Sequence, residues 1–220
     1  MTTVADVRQH LRDQLRHERS SPGSVAHAGT IEILGASFIA DEPTIFGAPR
    51  QDYIAREIEW YLTRSCNVMA MEGPIPKIWL DISTDAGEVN SNYGYLLFSD
   101  ENGRQYNNVL STLRTSPDGR RATAIYTRPT MHTDWCRDGM QDFVCTNAVC
   151  YFIRRGVLYA IVQMRSNDAV FGYRNDYAWQ RWVLEQLACS LRVRPGDIIW
   201  QAASLHLYER HWSLAEAETV

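Results

Sequence analysis

The sequence predicts an α+β fold, one domain in which a large mixed β-sheet is covered on one side by helices. Three features lead there. Apolar stripes at spacings of three and four alternate along the chain with β-branched and aromatic runs. Two such runs, Phe143 to Arg154 and Val157 to Arg165, are separated only by Arg155-Gly156, an X-Gly pair of the kind that closes two-residue hairpins. The last run, Ile198 to Tyr208, alternates so that Trp200, Ala202, Ser204, His206 and Tyr208 share one face.

The elements follow in order. Val4, Val7, Leu11 and Leu15 form one stripe of a helix over Val4 to Glu18, with Thr3 and Asp6 as its start signal. A strand is expected over Thr30 to Ala40. Asp52 then caps a helix from Tyr53 to about Arg64 whose inward stripe is Ile54, Glu57, Ile58 and Tyr61. Asn102 to Thr115 is a further helix, with Tyr106, Val109, Leu110 and Leu113 inward. It ends at the turn Ser116-Pro117-Asp118-Gly119, before a strand over Ala122 to Thr127. After the hairpin, Asn175 to Arg192 is the strongest helix, with Trp179, Trp182, Val183, Leu187 and Leu191 on its apolar side, broken by Arg194-Pro195-Gly196-Asp197.

Composition bounds the function. With 220 residues, 45% of them hydrophobic and 22% charged, the chain can build a substantial core as one domain spanning residues 1–220. A formal net charge of −4 argues against a broad nucleic-acid surface, so any anion must be held locally. Five cysteines without regular spacing, and no apolar leader in Met1 to Arg19, imply reduced thiols and a cytoplasmic location. No apolar run is long enough to cross a bilayer.

Several residues carry chemistry in this frame. The hairpin register places Cys145 opposite Ser166 and Thr146 opposite Arg165, so a cation and a hydroxyl flank the thiol. A nearby guanidinium favours the attacking thiolate, although a lone strand cysteine is most often a small buried hydrophobe. Glu57 lies on an apolar helical stripe, which makes it either a proton-handling carboxylate with a raised pKa or a member of a structural ion pair. Arg120 and Arg121 stand at a strand edge beside a turn, as a phosphate clamp or as a solvated basic pair. His206 and Tyr208 point the same way and suit sugar hydroxyls or a satisfied core.

Together these residues fall into a pattern. Gly29-Thr30-Ile31-Glu32-Ile33-Leu34-Gly35, Glu57 with Trp60, Ile78-Trp79, Asn92-Tyr93-Gly94, Pro117-Asp118-Gly119-Arg120-Arg121, Cys145, Arg165-Ser166-Asn167-Asp168, Asp176 and His206-Leu207-Tyr208 appear in an order that resembles the thymidylate synthase superfamily. Within it, Phe143-Val144-Cys145-Thr146-Asn147 and Arg174-Asn175-Asp176-Tyr177-Ala178-Trp179 resemble the deoxycytidylate hydroxymethylase branch. The resemblance runs from about Gly29 to Trp212.

It implies a thymidylate synthase-type fold and a sheet-to-sheet homodimer. It implies that Cys145 adds to carbon 6 of a pyrimidine, making carbon 5 nucleophilic toward the methylene of 5,10-methylenetetrahydrofolate, with Glu57 handling protons. Arg165 and Ser166 match phosphate-binding positions, with Asn167 beside them on the substrate-binding segment. Arg120 and Arg121 match the pair that reaches the neighbouring subunit's site, His206 and Tyr208 the sugar ligands, and Trp79 and Asp168 the folate-binding residues. No metal is implied. At the position of Asp176 the uracil-using relatives carry Asn. An ionised Asp only accepts hydrogen bonds, which suits the exocyclic amino group of cytosine and opposes the uracil carbonyl. The expected substrate is dCMP, with CMP as the runner-up, and dUMP methylation or non-catalytic nucleotide or RNA binding as the competing classes. In the cytidylate branch water completes the reaction, so tetrahydrofolate is the expected second product. The chain departs from the methylating enzymes at Val144-Cys145-Thr146. It also lacks their arginine before the first Gly-Thr, a role open to His27 or Arg19, and it has a shorter tail after His211-Trp212.

Overall fold

The computed structural model of the chain describes residues 1–217. In chain order its main elements are α1 (Val4–Ser20), β1 (Thr30–Ile39), α2 (Gln51–Thr63), α3 (Lys77–Ile82), α4 (Tyr93–Phe98), α5 (Gln105–Thr115), β2 (Thr123–Ile125), α6 (Met131–Asp134), β3 (Thr146–Arg154), β4 (Val157–Met164), β5 (Asn167–Asp168), α7 (Phe171–Leu191), β6 (Arg194–Tyr208) and α8 (Trp212–Glu216). They gather into two compact units: Met1–Pro49 together with the chain from Gly156 onward, and Arg50–Arg155.

In the first unit α1 forms on the expected stripe, with Val4, Val7, Leu11 and Leu15 buried and a reciprocal Thr3–Asp6 capping box at its start. β6 pairs antiparallel with β1 and parallel with β4 and β5, which makes the sheet mixed, as the sequence predicts. The parallel β4–β6 pair needs a crossover, and α7 supplies it, laid on both strands. Beneath it Leu158, Ala160 and Val162 of β4, Trp200 of β6 and Trp179 of α7 are fully buried.

α7 begins at Phe171, four residues before the predicted Asn175. The Asp168 carboxylate accepts from the Val170 and Phe171 N–H groups at 3.0 and 3.1 Å, satisfying donors of the first turn from outside the helix. Asp176 therefore stands within the helix instead of at its edge. The helix ends on Arg192, left-handed at φ 57°, so Arg194-Pro195-Gly196-Asp197 is not the break the sequence suggested but the opening of β6. Its proline is accommodated where the β4–β6 register shifts.

In the second unit α2 starts at Gln51, and Arg50 before it provides no side-chain cap. Asp52 lies in its first turn, where a carboxylate suits the helix dipole but does not cap. Tyr53, Ile54, Glu57, Trp60 and Tyr61 are its buried face, while the expected Ile58 is half-buried. Asn92 caps α4 through Tyr95 N–H (2.7 Å) and donates to the Trp60 carbonyl (3.1 Å), tying α4 to the end of α2. Gly94 is required there, because a Cβ would stand 1.8 Å from the Tyr61 carbonyl oxygen. α5 starts at Gln105, after a left-handed Arg104, and not at Asn102. β2 and β3 are shorter than predicted, because Tyr126 and Thr127 both donate to the Asn147 carbonyl and end the ladder. Cys145 is thus the last residue before β3. The Arg155-Gly156 turn has φ of 51° and 74°, the double left-handed geometry of a type I′ turn.

Candidate active site

The α2 stripe places Glu57 in an almost closed environment, 4% exposed. Its Oε1 accepts from the Tyr53 hydroxyl at 2.5 Å and from the Trp79 indole N–H at 3.3 Å, and that indole also donates to the Tyr53 oxygen at 2.8 Å. Trp60 packs edge-on against Trp79 with ring centroids 5.0 Å apart. Burial, reinforced by the Glu57 carboxylate, pushes the Tyr53 phenol far above its ordinary pKa, so Tyr53 remains a proton-bearing donor. Glu57 is therefore a buried carboxylate that accepts from two neutral donors, Tyr53 and Trp79, an arrangement that suits proton transfer.

Cys145 is half-buried between fully buried Val144 and Thr146, and its Sγ lies 3.8 Å from the Phe143 carbonyl. Three residues upstream the chain is pinned. The buried Asp142 carboxylate accepts from the N–H groups of Asn90 and Ser91, both at 2.7 Å, and from the Ser91 hydroxyl at 2.6 Å. Asn90 returns a bond from its amide to the Asp142 carbonyl at 2.9 Å, and Arg128 reaches both Asn90 (3.3 Å) and Asp134 (3.0 Å). Sequence reasoning missed this anchor. Its signal was weak but present: Asp142 is a carboxylate set between Met140 and the apolar Phe143-Val144, and Asn90-Ser91-Asn92 is a polar run where the chain turns inward.

Arg120 and Arg121 follow the turn closed by Gly119 N–H to the Ser116 carbonyl, 2.9 Å. Both are exposed and, among the described residues, carry no ion pair. Trp79 is buried between exposed neighbours Ile78 (58%) and Leu80 (50%).

The other predicted residues lie in the first unit. Arg165 and Ser166 follow β4, both half-buried. Asn167, 2% exposed, donates through Nδ2 to Asp176 Oδ2 at 2.8 Å and accepts on Oδ1 from the Trp200 indole at 3.1 Å. Asp168, besides holding the start of α7, lies 3.8 Å from Nδ1 of buried His211. His206 and Tyr208 meet edge to face at 4.8 Å on one face of β6, as the alternation predicts, and Arg210 stacks on Tyr208 at 4.0 Å.

A relay the sequence did not reveal sets the tautomer of His206. The Ser204 hydroxyl donates to the Glu32 carboxylate across the β1–β6 pair, so toward His206 Nδ1, 3.3 Å away, its oxygen is the acceptor. The imidazole then carries its proton on Nδ1 and presents Nε2 as an acceptor, which suits a hydroxyl donor such as a sugar. Burial holds this histidine below its ordinary pKa, opposed by Asp168 and Glu32, so the neutral ring prevails at neutral pH.

Of the two side chains considered for the missing arginine, Arg19 is engaged elsewhere: it binds Glu216 at 3.0 Å and lies 5.0 Å over the Trp212 ring. His27 is exposed. The loop between them is held by Glu18, whose carboxylate accepts from the N–H groups of Ala26, Gly23 and Val25 and is lowered by those bonds to a pKa of about 2.

The thymidylate synthase family model matches residues 50–219. The chain belongs to the thymidylate synthase family. Among curated proteins it is 48% identical to the deoxycytidylate 5-hydroxymethyltransferases of Enterobacteria phages T4 and T2, over 97% of this chain and 89% of theirs. It is 23% identical to the thymidylate synthase of Francisella tularensis subsp. holarctica, over 72% of this chain and 61% of that one. Membership in the thymidylate synthase family accords with the α+β architecture and the mixed sheet. All five cysteines are free, and no helix among the described residues is long and apolar enough to cross a membrane.

Proposed function

We propose that this chain transfers a one-carbon unit from 5,10-methylenetetrahydrofolate to carbon 5 of dCMP with addition of water, giving 5-hydroxymethyl-dCMP and tetrahydrofolate. The observation that carries this is the 48% identity, over 97% of the chain, to proteins named deoxycytidylate 5-hydroxymethyltransferase. An aspartate at position 176 supports it on chemical grounds, because a carboxylate accepts from the amino group of cytosine and repels the carbonyl of uracil. A mismatch of that kind costs about 1 to 3 kcal/mol, roughly tenfold to a hundredfold in discrimination.

The folate supplies a methylene at the oxidation level of formaldehyde. Cys145 attacks carbon 6 as thiolate, forming the S–C6 bond and placing the electron pair on carbon 5, which bonds to that methylene. Glu57, with Tyr53 as its proton-bearing neighbour, handles the protons that the ring gains and loses. Loss of the carbon 5 proton and departure of tetrahydrofolate leave a methylene on the ring. Water adds to it, and expulsion of Cys145 restores the aromatic base. Arg165 and Ser166 hold the phosphate, and the His206 Nε2 acceptor and Tyr208 hold the sugar hydroxyl. Asp168 and Trp79 bind the folate.

Arg120 and Arg121 act on the site of a second copy in a homodimer. The sheet has a face for such a contact: Val157, Tyr159 and Ile161 of β4 and Ile199 of β6 are only half-buried. Mass spectrometry of the product from dCMP and methylenetetrahydrofolate tests the reaction. A mass gain of CH₂O supports it, and a methylated product or none refutes it. Running CMP in parallel measures sugar selectivity. Cys145→Ser should abolish turnover while nucleotide binding persists. Mixing Cys145→Ser with Arg121→Ala should restore roughly a quarter of the activity if sites are shared across a twofold dimer.

A further inference from the structure

We propose that Asn167 is a positioning residue which dictates the hydrogen-bond polarity of position 176, and so sets base choice together with it. The inference rests on the reading of Asp176 as the base-recognising group, and its experiment separates the two.

An indole N–H can only donate. Because Trp200 Nε1 points at Asn167 Oδ1 (3.1 Å), the amide carbonyl must face the indole and the amide nitrogen must face Asp176 Oδ2 (2.8 Å). A flipped amide would set donor against donor at Trp200 and acceptor against acceptor at Asp176. With Trp200 fully buried and Asn167 2% exposed, water cannot repair the mismatch at Trp200, which alone fixes the direction of the amide. Packing leaves the pair little room to shift. A Cβ at Gly172 would come within 3.3 Å of Asn167 Nδ2 and 3.9 Å of Asp176 Oδ2. The chain Trp200→Asn167→residue 176 therefore runs in one direction only, and position 176 must turn an acceptor toward Asn167 whatever side chain stands there.

The consequences differ by side chain. Aspartate satisfies the demand and, being acceptor-only on both oxygens, presents nothing but acceptors to the base. Asparagine at 176 would be forced to spend its only oxygen on Asn167, leaving its NH₂ group to turn toward the base. An NH₂ group there favours the uracil carbonyl. The substitution Asn167→Asp reverses the demand: the carboxylate it introduces still accepts from Trp200, but now needs a donor from position 176. With asparagine at 176, the NH₂ group would serve that carboxylate, and the carbonyl would again offer an acceptor to cytosine.

The test measures kcat/KM for dCMP and dUMP, by tritium release from carbon 5, in the wild type, Asp176→Asn, Asn167→Asp/Asp176→Asn and Trp200→Phe/Asp176→Asn. Nucleotide binding by calorimetry on the same four proteins gives a readout that survives loss of turnover. Asp176→Asn should move the dCMP/dUMP ratio toward dUMP by on the order of 10- to 100-fold. Adding Asn167→Asp should move it back toward dCMP by a similar factor. Adding Trp200→Phe, which removes the donor that orients the amide, should bring the ratio of Asp176→Asn close to unity. A residue that merely supported the fold would lower both substrates together and leave the ratio alone. If the Asn167→Asp/Asp176→Asn variant keeps the dUMP preference of Asp176→Asn, the polarity proposal is overturned while the dCMP reading stands. If the wild type itself prefers dUMP, the dCMP reading falls first.

Discussion

Removing the Asp142 carboxylate tests how the nucleophile's segment is held. Asp142→Ala deletes the acceptor of three hydrogen bonds of 2.7, 2.7 and 2.6 Å, two from the backbone of Asn90 and Ser91 and one from the Ser91 hydroxyl. Hydrogen bonds to a charged acceptor each contribute about 1.5 to 3 kcal/mol, and they are not additive because one carboxylate serves all three. Against that, the native state no longer has to bury a charge. Stripping one partner from a buried charged network costs about 3 to 5 kcal/mol, and that is the expected loss. Asp142→Asn keeps the shape and one acceptor, so its loss should be about 1 to 2 kcal/mol. For a chain of this size those figures correspond to a fall in Tm of about 6 to 20 °C and about 2 to 8 °C. Urea titration followed by circular dichroism gives the same quantities at 25 °C. Peptide-mapped alkylation should show Cys145 reacting faster in the Ala variant, since residues 142 to 146 lose their tether. An Ala variant within about 1 kcal/mol of the wild type would refute the reasoning, as would Ala and Asn variants of equal stability.

Other expectations are simpler. Tyr53→Phe removes the 2.5 Å donor to Glu57 and should cost about 1 to 3 kcal/mol of stability and lower kcat more than it raises KM; an unchanged kcat would separate Tyr53 from proton handling. His206 and His211 both have folded pKa values lowered by burial, so the unfolded chain binds more protons as the medium acidifies. Their neutral forms favour the fold above the ordinary imidazole pKa, and urea midpoints should fall as pH drops below about 6.5. A flat profile from pH 7.5 to 5 would contradict this. Glu18 works in the same sense in a more acidic window: its lowered pKa of about 2 stabilises the loop at higher pH and loses that effect between about 4.5 and 2, so Glu18→Gln should blunt acid sensitivity only in that range. Finally, burial, reinforced by the Glu88 carboxylate, raises the Cys66 thiol to a pKa of about 11. Iodoacetamide at pH 8 should therefore label exposed Cys136 and Cys189 well before Cys66, as read by peptide mass spectrometry.

Much of the architecture was legible in the sequence because it is written in local periods. The stripe Val4, Val7, Leu11, Leu15 and the Thr3–Asp6 box specify α1 within one segment, and the twofold alternation of β6 is enough to put His206 and Tyr208 on one face. The same stripe reading marked Glu57 as buried. Boundaries were lost where the deciding bond came from outside the element: Asp168 starts α7 early, and the paired donors to Asn147 end the β2–β3 ladder and leave Cys145 outside the strand.

By itself the sequence determined the family, the helices α1, α2, α5 and α7 with the longer strands, and the residue types that suit chemistry on a cytosine nucleotide, while the short α3, α4, α6, β5 and α8 went unpredicted. Only the tertiary structure decided which polar groups face one another: Asp142 with Asn90 and Ser91, 52 and 51 positions away, Trp200 with Asn167 across 33, and Ser204 with Glu32 across 172. The reason is physical. A period reports which side of an element is apolar, whereas hydrogen-bond direction and tautomer are set by a partner that sequence distance does not encode.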